Sequence, residues 1–436
     1  MSKKVILFVT VLMLLFCACA PASDVDTTVS PSEEVFVPTK LEGENGLFTY
    51  EFTGLNAAEP GYAGGVVTVE CEGEYSLFWS DENGALELYE CITRADAANK
   101  SKYEFAHNAA VPPEATGLVL YIGQKQADSI TLPEQKRIAQ EVETSFASVS
   151  DIHLNYTGLG AAKKWKDALI WFKELGLPYI ISAGDIGENG SESEWRLYSQ
   201  CIKKSGYTDA DVNEAMGNHD TPNPQRFLEA TAEGIRAGSE PYYYILRQGE
   251  NGARDNLFIF MAPEISKISA TNLEDNFSPQ QMDWVEGLVE QYSGKANIFI
   301  VQHAVMRNFG PGDRYNGKYV QPMMFDSRFE QNIRLRKLLT QHKEIIMFNG
   351  HTHLSFRDNL NFTDEYARIV HNGSVSQPRS YTASGTISYD SEGRTTASYG
   401  SEGYIVRVYG KSIVFLGADL STHKIIPEVC FITPVI

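Results

Sequence analysis

The sequence predicts an α/β domain preceded by a small β-sandwich, and three observations carry that reading. Short strand-like runs separated by turns fill the stretch from about Gly46 to Gly123. Beyond about Pro133, strand-like runs alternate with segments of helical periodicity. Five of the nine histidines fall immediately after such strand-like runs, beside Asp, Asn or Gly.

Length agrees with more than one domain, since 436 residues exceed what a single core usually organises. The formal charge is −19, and no block of lysines or arginines interrupts it. Such a surface repels a nucleic-acid backbone, so nucleic acid is not expected as a partner. A small phosphorylated substrate would need local positive charge to approach, and metal ions are one way to supply it.

The first 22 residues read as an export signal: Lys3 and Lys4, an apolar run from Val5 to Phe16, then small residues at Ala18, Ala20 and Ala22. Ala20-Pro21-Ala22 suits simple cleavage, whereas Phe16-Cys17-Ala18-Cys19 suits a lipobox that would leave Cys19 lipidated. The lipoprotein reading is preferred, so membrane contact is expected only through a lipid on Cys19. The protein is then expected at a bacterial cell surface, lipid-anchored or secreted. Residues 23–42, rich in Ser, Thr, Pro and acids, read as a solvated tether.

Residues 43–125 form the expected β-sandwich, with strands at LFTYEF, VVTVEC, YSLFW, LELYECI and LVLYI and a turn at Asp81-Glu82-Asn83-Gly84. Cys71 and Cys91 lie in neighbouring strand-like runs, where a disulfide and two buried free thiols are equally open. Cys201 and Cys430 lack metal-site spacing and receive no catalytic role. A connector over 126–140 leads to the α/β domain, 141–436. There, Trp165, Ala168, Leu169, Phe172 and Leu175 recur at helical spacing, with Gly176 as the stop. A second helix starts at Ser278-Pro279-Gln280-Gln281, capped by the Ser and primed by the Pro. A third spans about Phe329 to Gln341, and the last stretch returns to strands.

Five short motifs follow the strand-like runs: Asp151-Ile152-His153, Gly184-Asp185, Gly217-Asn218-His219-Asp220, His303, and Gly350-His351-Thr352-His353. In open α/β sheets, sites form at the carboxyl ends of strands, so the five converge on one rim although about 200 residues separate the outermost. Singly each is weak, since Gly-Asp is often a turn and a lone His is often core. His351 and His353, two apart on an extended segment, point the same way and form a better metal signal.

In this order the motifs resemble those of the calcineurin-like metallophosphoesterase superfamily, over about residues 140 to 375. The resemblance implies a sandwich of two mixed sheets flanked by helices, with a dinuclear metal centre. Asp151, His153 and His353 would hold one metal; Asn218, His303 and His351 would hold the other; Asp185 would bridge them. The β-sandwich resembles, in pattern alone, the fibronectin-like domain that precedes the catalytic domain in some exported phosphatases. Charge counting agrees with the ligand set. Two divalent ions bring four positive charges, two carboxylates and a bridging hydroxide remove three, and the remainder can stabilise a phosphoryl group. Four histidines among seven ligands favour Mn, Zn or Fe.

His219 would face the substrate as general acid or as a donor to the phosphoryl group, with Glu188 or Asp220 holding its tautomer. Asn155, Tyr156, Arg307 and Arg314 follow ligand-bearing strands and are candidate substrate contacts. His371 is given a packing role. The expected reaction is hydrolysis of a phosphomonoester on a small molecule or cell-surface group. Phosphodiester hydrolysis is the alternative, and a non-catalytic surface module with a structural metal is the alternative of another class. The ligand set departs from that of the purple acid phosphatases, which place a Tyr where this chain has Glu188 and lack a histidine at the position of His153.

Overall fold

The computed structural model describes residues 40–53, 59–97, 101–155, 159–231, 240–263, 277–320, 329–358, 361–388 and 400–436. The expected export signal with Cys17 and Cys19, most of the expected tether, and Tyr156 lie outside the described residues. Pro38–Ile436 forms one compact unit.

The N-terminal part of that unit is built from two antiparallel sheets. One orders Lys40–Glu42, Phe48–Phe52, Gly65–Val69 and Ser101–Phe105. The other orders Gly84–Ala85, Gly73–Asp81, Gly117–Ile122 and Lys125–Thr131, with Thr93–Ala97 also paired to Gly73–Asp81. Alternation does the work: Phe48, Tyr50 and Phe52 are buried while Glu51 between them is exposed. Trp79 of one sheet meets Phe105 of the other with ring centroids 5.3 Å apart.

Three local expectations change here. Lys40–Glu42, assigned by composition to the tether, pairs with Phe48–Phe52. Strand Lys125–Thr131, whose residues 126–131 are assigned by sequence to the connector, pairs with Gly117–Ile122 and belongs to the sandwich. The run LELYECI is not a strand of the sandwich. Its Leu86 and Leu88 pack on the core of the catalytic part, and Tyr89 bridges Ile425, so its alternation answers to a surface far away in sequence. Cys71 and Cys91 are free thiols, as are Cys201 and Cys430.

The catalytic part is a sandwich of two mixed sheets. The first runs Val212–Glu214, Ile180–Ser182, Thr144–Val149, Glu402–Val408, Ser412–Asp419 and Lys424–Ile425, with Phe431–Pro434 also on Ser412–Asp419. Its first three strands are mutually parallel. The second runs Tyr243–Arg247, Asp255–Phe260, Ala296–Val301, Ile345–Asn349, Arg368–His371 and Phe362–Thr363, parallel except at its two edges. Side-chain parity divides the second sheet. Phe258, Phe299 and Phe348 face inward to Phe146, with centroids 5.2, 5.4 and 6.3 Å from its ring. Leu257, Ile259, Ile298, Ile300 and Met347 face the other way, into a cluster with Met282, Val285, Leu335 and Leu339 of helices Pro279–Tyr292 and Glu330–Gln341.

The helix starting at Pro279 is capped as its sequence predicts, the Ser278 side chain accepting from the Gln281 amide. Leu159–Glu174 ends at Gly176, which holds φ 73. Helix Glu192–Ser205 was not anticipated, although Ser191 and Glu194 form a complete capping box at its start.

Candidate metal centre and active site

Every motif histidine and carboxylate sits just past the carboxyl end of a parallel strand. Thr144–Val149 delivers Asp151 and His153, Ile180–Ser182 delivers Asp185, and Val212–Glu214 delivers Asn218, His219 and Asp220. From the second sheet, Ala296–Val301 delivers His303, and Ile345–Asn349 delivers His351 and His353. Two motif glycines exist because nothing larger fits. A Cβ on Gly217 would lie 2.1 Å from Asp185 Oδ1, and one on Gly350 would lie 1.9 Å from Ser150 Oγ.

The donors form two lobes, and His219 makes a further group with His153 and Asp185, one residue from each lobe. In one, Asp151, His153 and His353 converge: His153 Nε2 is 2.9 Å from His353 Nε2, which is 3.0 Å from Asp151 Oδ1. In the other, Asp185, His303 and His351 converge: His303 Nε2 is 3.1 Å from Asp185 Oδ2 and 3.2 Å from His351 Nδ1. Asn218 Oδ1 joins the second lobe, 3.0 Å from His303 Nε2. Asp185 Oδ2 also lies 3.6 Å from His153 Nε2, so a single carboxylate oxygen faces both lobes.

These spacings fit metal ions. With bonds of about 2.0–2.1 Å, neighbouring ligand atoms around one ion lie roughly 3.0–3.4 Å apart. The histidine orientations agree. His153 Nδ1 faces Glu188 Oε2 at 3.0 Å, His303 Nδ1 the Ala183 carbonyl at 2.8 Å, and His353 Nδ1 the Gln377 carbonyl at 3.0 Å. Each Nδ1–H is thereby spoken for and each Nε2 is turned inward, where it could bind a metal. His351 presents Nδ1 instead.

Electrostatics point the same way. Burial would lower the His153 pKa, but its bonds to Asp151 and Glu188 and the charge of Asp185 raise it to about 10. His303 likewise rises to about 9, Asp185 outweighing burial. Burial works against the carboxylates too, yet the facing histidines hold Asp151 and Asp185 below the usual carboxylate range. His353 goes the other way, burial lowering it to about 4, so the carboxylates draw positive charge to His153 and His303 while His353 stays neutral.

His219 differs from the ligands in being 35% exposed, and its ring meets His153 edge-on with centroids 4.8 Å apart. Its amide donates to Asp185 Oδ1 at 2.9 Å. Neither expected carboxylate holds its Nδ1. The group that does is the main-chain carbonyl of Glu188, at 2.7 Å, while the Glu188 carboxylate is 4.0 Å away and directed to His153. Asp220 is buried and accepts from the amides of Ile186, Gly187 and Gly217, tying two motif loops together. Burial first, and the Asp185 charge second, raise its pKa.

Of the candidate substrate contacts, Asn155 is half-buried after Leu154, which pairs with Gly187. Arg307 and Arg314 are exposed on the segment that follows His303, and both lie against the Tyr319 ring. His371 does more than pack. Its Nδ1 meets Asn349 Oδ1 at 2.6 Å and its Nε2 meets the Thr352 hydroxyl at 3.1 Å, between the two ligands of that loop. Its place just past Arg368-Ile369-Val370 repeats the strand-end rule that singled out the ligands.

A two-sheet sandwich with a two-lobed carboxylate and imidazole cluster at its strand ends defines a metallohydrolase. Residues 144–355 match the family model described as calcineurin-like phosphoesterase. Those residues form a calcineurin-like phosphoesterase domain, and the chain is a metal-dependent hydrolase of phosphoric ester bonds. Among solved structures it is similar to a dimetal phosphatase from Danio rerio, at 12% identity over 68% of this chain and 100% of that one, with TM-score 0.45. It is similar as well to GAP50 of Plasmodium, described as the anchor in the inner membrane complex, at 15% identity over 68% and 89%, TM-score 0.45. A purple acid phosphatase from yellow lupin seeds aligns at 11% identity over 90% and 73%, TM-score 0.43. A search of curated proteins returns no match.

Proposed function

We propose that this chain hydrolyses a phosphomonoester, with His219 serving the leaving oxygen. Asp151, His153 and His353 would hold one ion, Asn218, His303 and His351 the other, and Asp185 both; Mn, Zn or Fe suits four imidazoles among seven ligands. Bound there, two such ions supply Lewis acidity toward the phosphoryl oxygens and lower the pKa of water. The chain's own residues supply orientation and a proton. The bond from His219 Nδ1–H to the Glu188 carbonyl fixes the ring, so that in the imidazolium form Nε2–H gives its proton to the departing alkoxide and the ring is left neutral with its proton on Nδ1. The Asp185 carboxylate, accepting from the His219 amide, couples that ring to the cluster. The N-terminal signal supports an encounter with substrate outside the cytoplasm.

The observation that carries this reading is a half-exposed histidine beside a buried two-lobed donor set. A closed structural site needs no such histidine. The test is a panel of mono- and diesters assayed with added metals, alongside His219→Ala. The variant should keep both metals and lose about 10²- to 10⁴-fold in kcat on an alkyl phosphate, and less on nitrophenyl phosphate, whose leaving group needs little protonation. Faster turnover of diesters would replace the monoesterase reading. Loss of a metal in His219→Ala would make this residue a ligand instead.

A further inference from the structure

Residues 304–320, which follow His303, carry Arg307, Arg314 and Lys318 against one acid, Asp313, in a chain of formal charge −19. The guanidinium carbons of Arg307 and Arg314 lie 4.0 and 4.4 Å from the centroid of the Tyr319 ring. The two cations are therefore no more than about 8 Å apart, and exposed. The arrangement is built. Arg314 Nη2 donates to Tyr319 Oη at 2.7 Å and to Asn308 Oδ1 at 2.5 Å, and the Tyr319 hydroxyl donates to the same Oδ1 at 2.5 Å. Asn308 adopts φ 58 and its amide donates to Asp313 Oδ2 at 2.8 Å, closing the turn.

Two contacts fix this segment beside the ligand loop of the second sheet. Gly312 packs on the His371 ring so closely that a Cβ would lie 2.5 Å from Nδ1, and His371 in turn holds Thr352, between His351 and His353. Val320 shares an apolar cluster with Leu354 and Tyr381, and the Tyr381 hydroxyl donates to the Thr352 carbonyl at 2.5 Å. The hairpin Arg314–Tyr315 with Lys318–Tyr319 is thus anchored to the segment that bears two metal ligands.

We infer that Arg307 and Arg314, spaced by Tyr319, form a second anion subsite. The substrate is then a phosphate ester that carries a further anionic group, a carboxylate or a second phosphate. Asp313 Oδ2, 3.8 Å from Arg314 Nε, offsets one of the two guanidinium charges gathered on the phenol; an anionic group relieves the other, and planar guanidinium is suited to paired oxygens. The inference rests on the phosphoesterase reading of the neighbouring cluster.

Non-hydrolysable phosphonates separate the two. Calorimetry on the metal-loaded protein would compare methylphosphonate with phosphonocarboxylates and bisphosphonates of increasing linker length. The expected result is binding at least about tenfold tighter at one linker length, with the terminal group that gives it telling carboxylate from phosphate. In Arg307→Gln/Arg314→Gln that advantage should vanish, while metal content, melting temperature and methylphosphonate affinity stay within about twofold. Equal binding of all probes to the wild-type protein, or an advantage that survives in the double variant, overturns the subsite and leaves the phosphoesterase reading standing. Failure of every phosphonate to bind overturns both.

Discussion

Replacing Glu188 by Gln removes one charge from the site and keeps an oxygen where His153 Nδ1 needs an acceptor, 3.0 Å away. His303 and His353 rely on main-chain carbonyls for the same service, so of these three His153 is the one whose orientation a side-chain substitution reaches directly. Loss of such a supporting partner costs roughly 10- to 100-fold in metal affinity, or about 1.4 to 2.8 kcal/mol at 1.4 kcal/mol per factor of ten. Glu188 is 36% exposed, so solvent screens its charge. Glu188→Gln should therefore fall near the tenfold end, and Glu188→Ala, which removes the acceptor as well, nearer the hundredfold end. The effect should be confined to one ion, because His153 belongs to the lobe of Asp151 and His353. His219 keeps its Nδ1 partner in both variants, since that partner is the main-chain carbonyl. The assay is release of metal to a competing chelator, followed by elemental analysis. One of two release steps should shift while the other stays. If both steps shift equally, or if neither shifts in Glu188→Ala, Glu188 does not act through His153.

Asp185→Asn should weaken both ions together and lower activity in step, because Asp185 Oδ2 faces both lobes; retention of two ions at wild-type affinity would remove it from the bridging position. The iron-loaded protein should show no intense absorption in the middle of the visible spectrum, as Glu188 stands where a purple enzyme has its tyrosine; an intense band would reveal a phenolate ligand. Glu214 is a separate probe of stability. Burial raises its pKa from 4.5 to about 8, against the bond it accepts from the Tyr198 hydroxyl at 2.6 Å. A raised acid favours the folded state below the unfolded pKa and loses that contribution as pH climbs through the folded one, here between about 4.5 and 8. Glu214→Gln cannot ionise, so its stability relative to wild type should rise across that window, by at most about 5 kcal/mol at 1.36 per pH unit. Urea unfolding at both ends of the window checks the sign, and an unchanged difference would place the proton elsewhere.

The donor set was legible because the chemistry demands scarce residue types and the fold delivers them at one kind of place. Asp151, His153, Asp185, Asn218, His303, His351 and His353 all follow strands, a position that periodicity can locate. What failed to show in the sequence depends on partners that carry no residue-type signal. The acceptor for His219 Nδ1 is a main-chain carbonyl, which any residue could provide, whereas the Glu188 carboxylate serves His153. Leu86 and Leu88 alternate as a strand would, yet their partner surface is the C-terminal sheet more than 300 residues on, and local pattern cannot distinguish the two cases. Helix Glu192–Ser205 does carry a local signal, because Ser191 and Glu194 form a capping box at its start.

Backbone strain lies where the chemistry does. Asp151, His153, Asp185, His351 and His353 hold φ of 54, 47, 55, 74 and 55°, in the left-handed region that residues with a Cβ avoid. Such conformations cost on the order of 1–3 kcal/mol each and persist only where the surroundings over-determine them. Here the ligand loops determine one another. The Asp151 amide donates to the Gly184 carbonyl at 3.0 Å and the His153 amide to the Asp185 carbonyl at 3.0 Å, joining the first two motifs. The His351 amide donates to Asp151 Oδ2 at 2.9 Å, joining the two sheets, and the Gly350 amide to the His303 carbonyl at 2.8 Å, joining two loops of the second sheet. The hydroxyls of Ser374 and Ser376 both donate to the Asp151 carbonyl, and the Arg379 amide to that of His353. None of these bonds uses an atom that a metal would need. The protein lattice itself therefore holds the ligands in their bent conformations, and ions would enter a site already shaped for them rather than assemble it.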